Sequence, residues 1–359
     1  MSALHVLLVG PLPPPAGGMA NQTQQLQRLL LKEGLAVPLV QTNAPYSPTW
    51  VGKVPVLRAV ARLVPYVARL WRSMAAVDVV HVMANSGWAW HLFAAPAIQI
   101  AKARRRPVIV NYRGGLAAEF LERSARSVTA TLAGTRLVVP SSFLQEVFGR
   151  HGVESEIIPN VVDVDRFRPA NPARALFPEA PHIVIARNLE SIYGIDLALQ
   201  AVARLAIRYP DVRVSVAGSG PELTKLQSLS ADLGVTDRVR FTGRLDVAEM
   251  ARLYQDADIV LNPSRVDNTP NSILEALACG VPVVTTNVGG IPYLVQHGRT
   301  AWLTEPESPE ALSDGMTELL GNSELRAALV ANGLDLARSC AWPAVRDRWL
   351  TAYGEARAA

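Results

Sequence analysis

The chain has 359 residues, and at ~100–200 residues per domain this length favours two globular domains. Hydrophobic residues make up 49% and charged residues 18%, which is too apolar and too weakly charged for a disordered chain. No apolar run reaches the ~18–20 residues that a membrane-spanning helix needs. The only cysteines, Cys279 and Cys340, belong to no CxxC motif or His/Cys cluster, so the sequence offers neither a disulfide framework nor a structural zinc site.

Positive charge is concentrated in the first half of the sequence. Residues 1–165 contain 16 Lys and Arg against 9 Asp and Glu, whereas residues 166–359 contain 19 against 22. A basic half suits an anionic ligand or an anionic membrane surface. The aromatic content of 6%, with no interleaving of basic and aromatic residues, disfavours nucleic acid as a partner. The N-terminus lacks the basic region of a secretory signal, so we expect a cytoplasmic protein.

The first half alternates short apolar runs with longer amphipathic stretches. We predict strands over residues 5–10, 77–83, 107–112 and 136–140, and helices over residues 19–33, 88–103, 115–130 and 141–150. Unbroken apolar strands between helices are typical of a parallel sheet that helices cover on both faces. Residues 1–158 are therefore predicted to form one doubly wound, Rossmann-like domain.

Residues 54–75 predict a basic amphipathic helix, which Pro65 is expected to kink. At 100° per residue its arginines lie within about 80° of one another, and its apolar residues lie opposite. The arginines are Arg58, Arg62, Arg69 and Arg72, and the apolar residues are Val56, Val60, Leu63, Val67 and Leu70. Two interpretations stay open: a surface helix whose apolar face packs on the sheet, or a helix that docks on an anionic membrane, where each basic side chain contributes about 1 kcal/mol.

A segment with five prolines and no helical periodicity, residues 157–181, indicates a connector between domains. The alternation then resumes, with predicted strands over residues 182–188, 212–218, 238–243, 257–263 and 281–286. We predict an α/β architecture of two doubly wound, Rossmann-like domains, with a linker and a C-terminal helix that packs back on the first domain. The boundaries are 1–158, 159–181 for the linker, 182–340, and 341–359 for the helix. Ligands of such sheets bind at the carboxyl ends of the strands, so a functional cleft is expected between the domains.

The most informative segment, residues 263–294, places two carboxylates around a predicted helix start. A strand ends near Pro263 and a helix begins near Pro270, where free amides and the helix dipole favour a diphosphate. Asp267 precedes the helix and Glu275 lies eight residues later, so both can face the same cleft. The simpler alternative is that Asp267 caps the helix and Glu275 is a solvated helix residue.

This segment resembles the donor-binding motif of family-4 retaining glycosyltransferases of the GT-B fold, in which two acidic residues separated by seven others contact the nucleotide sugar. Glu275 matches the second acid, and Asp267 stands where the family usually has Glu. By that resemblance Asp267 would contact the donor sugar and Glu275 would accept hydrogen bonds from the ribose hydroxyls. The surrounding residues would bind the rest of the donor: Arg265, Asn268, Thr269, Asn271, Ser272 and Ile273.

The resemblance extends over residues 157–169, 187–205 and 216–245, and more loosely over the first half. There a glycine-rich loop contains Gly17 and Gly18, which would let the backbone approach the donor phosphates or the acceptor. A plain tight turn is the alternative for this glycine pair.

Two positions depart from the family pattern. Arg187 is present as one of two cations that share the diphosphate charge, but the position of the second, before Gly194, holds Tyr193. Candidates to compensate are Arg113, Arg244 and, first, Arg265. Arg113 also stands where many members have a His; it could neutralise the sugar diphosphate or an anionic acceptor, but an arginine cannot act as a base at neutral pH.

The resemblance implies a retaining glycosyltransferase that moves a sugar from a UDP- or GDP-sugar to a glycan or lipid-linked acceptor in surface polysaccharide biosynthesis. Catalysis would rest on Asp267, Arg187 and Arg113, with no metal and no cofactor, and the protein could contact the anionic inner face of the membrane. Two alternatives remain: a non-catalytic nucleotide-sugar-binding accessory protein, and a nucleotide-sugar epimerase on the same fold.

Other motifs are weaker. The two DxD sequences, Asp163–Asp165 and Asp256–Asp258, lie in the connector and at a helix–strand junction and are attributed to chance. Residues 217–223 begin like a dinucleotide fingerprint but lack its third glycine, which disfavours a nicotinamide dehydrogenase. His81 and His91 have no partner spacing, so packing is their expected role.

Overall fold

The structure is a computed structural model that describes residues 4–14, 17–45, 55–170 and 180–358, with no description of the side chains of residues 55–60. The chain divides into two compact units. Unit 1 comprises residues 1–161 and 345–359, and unit 2 comprises residues 162–344. The division falls within the predicted linker, 159–181, of which residues 171–179 lie outside the described residues.

Unit 1 is built on a parallel sheet whose strand order is β2-β1-β3-β4-β5-β6. The strands are β1 (Val6–Gly10), β2 (Leu39–Gln41), β3 (Val79–Ala84), β4 (Val108–Tyr112), β5 (Arg136–Val139) and β6 (Glu156–Ile157). The helices are α1 (Gly18–Lys32), α2 (Pro55–Ser73), α3 (Ala95–Ala103), α4 (Ala117–Leu132) and α5 (Ser142–Gly149). A 3-10 turn (Met74–Ala76) follows α2 and a π-helical turn (Trp90–Ala94) precedes α3.

The central strands of unit 1 are buried on both faces, as their apolar sequences predict. Every residue of β1, β3 and β4 is buried. Such strands occur where helices cover both sides of a parallel sheet.

Helix α2 corrects the prediction of its apolar face. Its buried positions are Tyr66 and Leu70, whereas Val64, Val67 and Trp71 are exposed, Val64 at 63%. The exposure of Val67 departs from the interpretation in which the whole apolar face packs on the sheet. The helix continues through Pro65, and the predicted positions Val56, Arg58 and Val60 have side chains outside the described residues.

Unit 2 contains the second parallel sheet, in the order β12-β11-β10-β7-β8-β9. Its strands are β7 (His182–Ala186), β8 (Arg213–Ala217), β9 (Val239–Gly243), β10 (Ile259–Asn262), β11 (Val283–Thr286) and β12 (Trp302–Thr304). Its helices are α6 (Ile195–Arg208), α7 (Leu223–Asp232), α8 (Val247–Gln255), α9 (Asn271–Ala278), α10 (Ile291–Leu294), α11 (Pro309–Gly321) and α12 (Ser323–Ser339). A 3-10 turn (Ser191–Tyr193) precedes α6.

Helix α13 (Trp342–Ala358) belongs to unit 1 from Val345 onward. Its Trp349 and Tyr353 are fully buried, and the Trp349 ring lies against His81 of β3, with the ring centroids 5.0 Å apart. The end of the chain therefore contributes to the core of unit 1. Both units have the predicted doubly wound α/β architecture. No helix in the described parts of the chain is long and apolar enough to cross a membrane.

Candidate functional site

The predicted donor residues of unit 2 lie at the carboxyl ends of two neighbouring strands, β7 and β10. Arg187 directly follows β7, and Asp267 lies in the loop between β10 and α9. Ligands of open parallel sheets bind at this edge. The sheet thus brings Arg187 and Asp267 together although 80 residues separate them in the sequence.

Arg187 is held on three sides. Its Nη2 forms an ion pair with Oδ2 of Asp267, and its Nε donates to Oδ1 of Asn262 over 2.9 Å. The guanidinium lies over the ring of Tyr193, 5.2 Å from the ring centroid. Tyr193, at the position where the resemblance implies a second cation, therefore supports Arg187 through its aromatic face. The Arg187 and Asp267 side chains are only 11% and 14% exposed.

Asp267 does not cap helix α9, so that alternative is wrong. The residue before the helix is Pro270, and no side chain there accepts a capping hydrogen bond. Oδ1 of Asp267 instead accepts from the backbone amide of Asn268 over 2.8 Å, while Ser264 approaches Oδ2 at 3.5 Å. The carboxylate is oriented by its own loop and by Arg187.

Two glycines let backbone segments approach this loop closely. Gly194 has φ +62° and Gly289 has φ +52°, both in the left-handed region. A Cβ on Gly194 would overlap the carbonyl oxygen of Pro263, and one on Gly289 would overlap that of Asp267. The shape of the loop therefore depends on glycine at both positions.

Glu275 is a half-buried residue of α9 rather than a solvated one. The hydroxyl of the fully buried Tyr254 donates to its Oε2 over 3.3 Å. Burial raises the pKa of Glu275 to about 7, against the lowering effects of the Tyr254 hydrogen bond and of the charge on Arg187. This carboxyl group therefore changes its charge near neutral pH, and a donor that pairs with the carboxylate would lower its pKa again.

Side chains at the start of α9 are buried or half-buried, and one backbone amide there already has an acceptor within the protein. Asn268 is buried, and Asn271, Ser272 and Thr269 are half-buried. The side chain of Ile273 is fully buried, and its amide donates to the carbonyl of Pro270 over 3.1 Å. The predicted contact of this amide with a diphosphate would have to share that hydrogen bond.

Arg265, the first candidate for the missing cation, is occupied by acidic partners. It donates to both carboxylate oxygens of Asp196 over 2.7 and 2.8 Å, and its Nε pairs with Glu307 over 2.7 Å. The hydrogen bonds with Asp196 raise the pKa of Arg265. Burial alone would raise the pKa of Asp196, but the hydrogen bonds from Arg265 outweigh it, so the pKa of Asp196 is lowered. This geometry favours a structural ion pair over the predicted phosphate contact. Arg244 donates to Ser219 over 2.6 Å.

Arg113 of unit 1 follows β4 and is surrounded by amide oxygens. Its Nε donates to Oδ1 of Asn111 over 3.1 Å, and its Nη1 donates to Oδ1 of Asn160 and to Oε1 of Gln22. No carboxylate pairs with it among the residues that the structure describes. Burial lowers the pKa of Arg113 to about 10, so it remains charged at neutral pH. A half-buried cation with no acidic partner in the described residues suits an anionic ligand.

The predicted glycine-rich loop lies at the start of α1. Gly17 precedes the helix in an extended conformation, and a Cβ there would meet nothing within 4 Å in the described part of the chain. Gly18 is the first residue of α1, and residues 15 and 16 lie outside the described residues. Neither geometry nor packing of the described residues requires glycine at position 17.

Four residues that contact these charged side chains have no role predicted from the sequence: Tyr254, Asn262, Asn111 and Asn160. Asn262 ends an apolar strand and Asn111 lies within another, and a buried amide in an apolar run is a signal that could have identified both. Tyr254 and Asn160 carry no comparable signal.

Of the DxD residues, Asp258 accepts from the amide of His182 over 2.7 Å. No group of three potential metal ligands occurs in the described ranges.

Known structures share this fold along nearly the whole chain. Sucrose-phosphate synthase from Thermosynechococcus elongatus aligns with a TM-score of 0.80 at 20% identity, covering 98% of both chains. Anabaena HepE in complex with UDP and glucose aligns with a TM-score of 0.75 at 17% identity, covering 98% of this chain and 100% of that one. The fold is the GT-B fold of glycosyltransferases, as predicted.

Sequence comparison specifies the family. Residues 16–166 match the model for Glycosyltransferase Family 4, and residues 168–335 match that for Glycosyl transferases group 1. The GDP-mannose-dependent alpha-(1-6)-phosphatidylinositol monomannoside mannosyltransferase of Mycobacterium tuberculosis (strain CDC 1551 / Oshkosh) is 31% identical over 275 residues, which are 72% of this chain and 69% of that protein. The D-inositol 3-phosphate glycosyltransferase of Actinosynnema mirum is 32% identical over 215 residues, 56% of this chain and 52% of that protein. The chain belongs to glycosyltransferase family 4.

Proposed function

We propose that this glycosyltransferase transfers a hexose from a UDP- or GDP-sugar, with retention of anomeric configuration, to a lipid-linked or glycan acceptor of surface polysaccharide biosynthesis. Unit 2 binds the donor and the basic unit 1 binds the acceptor. The observation that carries the proposal is the arrangement of Arg187, Asp267 and Glu275 at the carboxyl ends of β7 and β10. Relatives that use GDP-mannose add support for the class of donor.

The three side chains divide the donor among them. The Glu275 carboxylate accepts hydrogen bonds from the ribose hydroxyls, because the two hydroxyls of a vicinal diol can both donate to one carboxylate. Arg187 stabilises the diphosphate, whose negative charge increases as the bond to the sugar breaks. Asp267 contacts the sugar, and because it is already paired with Arg187 it also fixes the position of that cation.

No general base is assigned, because Arg113 is charged at neutral pH. The departing diphosphate accepts the proton of the acceptor hydroxyl, which is consistent with retention. Catalysis then depends on positioning and electrostatic stabilisation, and we propose that neither a metal nor a cofactor takes part.

The experiment is a calorimetric and thermal-shift screen against UDP-, GDP- and ADP-sugars, with NAD and NADP as negative controls. We expect one nucleoside-diphosphate sugar to bind saturably and to stabilise the protein. Glu275→Ala should abolish this effect, whereas Glu318→Ala, which changes a carboxylate of α11, should preserve it. Stabilisation by a nicotinamide cofactor alone would refute the proposal.

A second candidate is a protein that binds the nucleotide sugar without turning it over. Tyr193 in place of a second cation, and Asp267 already paired with Arg187, favour this candidate. Slow release of nucleoside diphosphate from the bound donor distinguishes the two, because only the enzyme produces it. Binding without release would support the accessory protein.

We further propose that the protein works at the inner face of the cytoplasmic membrane, with α2 in contact with anionic lipid. Val64, Val67 and Trp71 form an exposed apolar edge, and Arg69 and Arg72 are exposed on the same helix. An apolar edge beside cationic side chains is typical of a helix that lies in a membrane interface.

Co-sedimentation with vesicles tests this surface. The wild type should sediment with vesicles that contain phosphatidylglycerol and not with pure phosphatidylcholine. Replacing Val64, Val67 and Trp71 by Gln should abolish sedimentation, whereas Ile207→Gln, at an 85% exposed position of unit 2, should not. Unchanged sedimentation of the triple variant would refute the membrane contact.

A further inference from the structure

A chain of buried polar side chains runs through unit 1 from the C-terminal helix to Arg113. Nδ1 of His81 lies 2.8 Å from the hydroxyl of Tyr353, and Nε2 of His81 lies 3.1 Å from Nδ2 of Asn111. Oδ1 of Asn111 in turn accepts from Nε of Arg113 over 3.1 Å. His81, Asn111 and Tyr353 are at most 1% exposed. None of the three has a role in the transfer reaction proposed above.

The direction of each hydrogen bond in this chain follows from Arg113. A guanidinium can only donate, so the group of Asn111 that faces Arg113 is the carbonyl oxygen and the group that faces His81 is the NH₂. Nε2 of His81 must then accept and carries no proton. The proton of the neutral imidazole lies on Nδ1 and is donated to the oxygen of Tyr353.

The electrostatics agree with this order. Burial, and next the positive charge of Arg113, lower the pKa of His81 to about 3, so the ring is neutral at physiological pH. A protonated His81 would present an N–H to the NH₂ of Asn111. The ring is also fixed sterically, because Trp349 packs against it and stacks on Tyr353, with ring centroids 5.8 Å apart.

We propose that Tyr353 is a positioning residue for Arg113, acting through the Nδ1–H tautomer of His81 and the amide of Asn111. The inference rests on the proposed function, with the charged Arg113 of the acceptor-binding unit taken to face an anionic ligand. The C-terminal helix thereby determines where the guanidinium lies.

Loss of the Tyr353 hydroxyl would change the hydrogen bonds of His81, Asn111 and Arg113 in turn. Without the Tyr353 hydroxyl, the buried Nδ1–H of His81 has no acceptor, and the ring can relieve this only by moving its proton to Nε2. Asn111 must then rotate to offer its oxygen to His81, which turns its NH₂ toward Nε of Arg113. Two donors cannot pair, so the guanidinium is displaced.

The first test is spectroscopic and does not require activity. In full-length protein labelled with ¹⁵N-histidine, with His81 assigned from the spectrum of His81→Gln, we expect a protonated Nδ1 and an unprotonated Nε2 between pH 5 and 8. In Asn111→Asp the carboxylate cannot donate to Nε2, so that nitrogen should become protonated. Protonated Nε2 in the wild type, or no change in Asn111→Asp, would overturn the proposal.

The second test compares two tyrosines of the same unit. Tyr353→Phe should lower kcat/KM for the acceptor about tenfold without changing donor affinity, and should shift the Nε–H resonance of Arg113. Tyr66→Phe is the matched control, because it also removes a buried hydroxyl, one that donates to the carbonyl of Phe93 over 2.8 Å. It should lower Tm without either effect.

The outcomes separate this inference from the proposed function. An inactive wild type in which His81 has the expected tautomer and Tyr353→Phe shifts the Arg113 resonance would contradict the proposed function and retain the positioning. Equal kcat/KM values and equal Arg113 resonances in the two Phe variants would overturn the positioning role.

Discussion

The raised pKa of Glu275 predicts that donor binding weakens as the pH falls through 7. Ribose hydroxyls donate to a carboxylate, and protonation removes that charge and one acceptor site. With a pKa of about 7, the carboxylate fraction falls about tenfold between pH 8 and pH 6. If binding requires the carboxylate, donor affinity measured by calorimetry should fall by the same factor.

Stability should change in the opposite direction. Because the pKa of Glu275 rises from 4.5 to about 7 on folding, its stabilising contribution is fully present below pH 4.5 and is lost as the pH rises through 7. The difference corresponds to about 3 kcal/mol in the free energy of unfolding. Chemical denaturation at several pH values, compared with Glu275→Gln, isolates this contribution from other titrating groups.

Two variants test whether the charge of Glu275 controls donor binding. Glu275→Gln should bind the donor weakly with no pH dependence between pH 6 and 8. Tyr254→Phe removes the hydroxyl that favours the carboxylate, so the midpoint of the pH dependence should move upward. A wild-type affinity that is constant from pH 6 to pH 8, or that varies as it does in Glu275→Gln, would show that the charge of Glu275 does not contribute to donor binding.

Three further substitutions test the surroundings of the site. Asp267→Asn should abolish transfer yet tighten binding of the free nucleoside diphosphate several-fold by calorimetry, because Arg187 then keeps its full charge for the phosphates; weaker binding would contradict this. Gly194→Ala should lower Tm more than Gly298→Ala, since both glycines have positive φ, for which a side chain costs about 1–2 kcal/mol, but only the first has a carbonyl in the way. Arg265→Gln should lower Tm with donor affinity unchanged within about twofold; a large loss of affinity would instead support its predicted phosphate contact.

The central strands of both sheets could be predicted because each is a short apolar run that helices cover on both faces. β1, β4 and β10 lie within one or two residues of the predicted limits. The edge strands β2, β6 and β12 were missed, since they have only two or three residues each and no apolar run long enough to be recognised. Their pairing depends on the neighbouring strand and not on a local signal.

The exposed edge of α2 shows a different limit. Helical periodicity predicts that the arginines and the apolar residues lie on opposite sides of the helix, but it cannot show how wide a stripe the rest of unit 1 covers. Leu70 is buried while Val67, on the same predicted face, is exposed, and Tyr66, which was not assigned to that face, is buried. The width of the buried stripe is set by elements distant in the sequence.

The positions of the site residues follow from local spacing, whereas their electrostatic state does not. Asp267 and Glu275 are eight residues apart around one helix start, and that pattern can be read from a short segment. Asp196, one of the two acidic partners of Arg265, is 69 residues away from it in the sequence, and Asp267, the partner of Arg187, is 80 residues away. A count of charges therefore overestimates the positive charge that is free for a diphosphate. The phosphates of a ligand must therefore compete with the Asp267 carboxylate for Arg187. We expect this competition, in which the bound donor replaces Asp267 as the partner of Arg187, to contribute to selecting a complete nucleotide sugar over its diphosphate product.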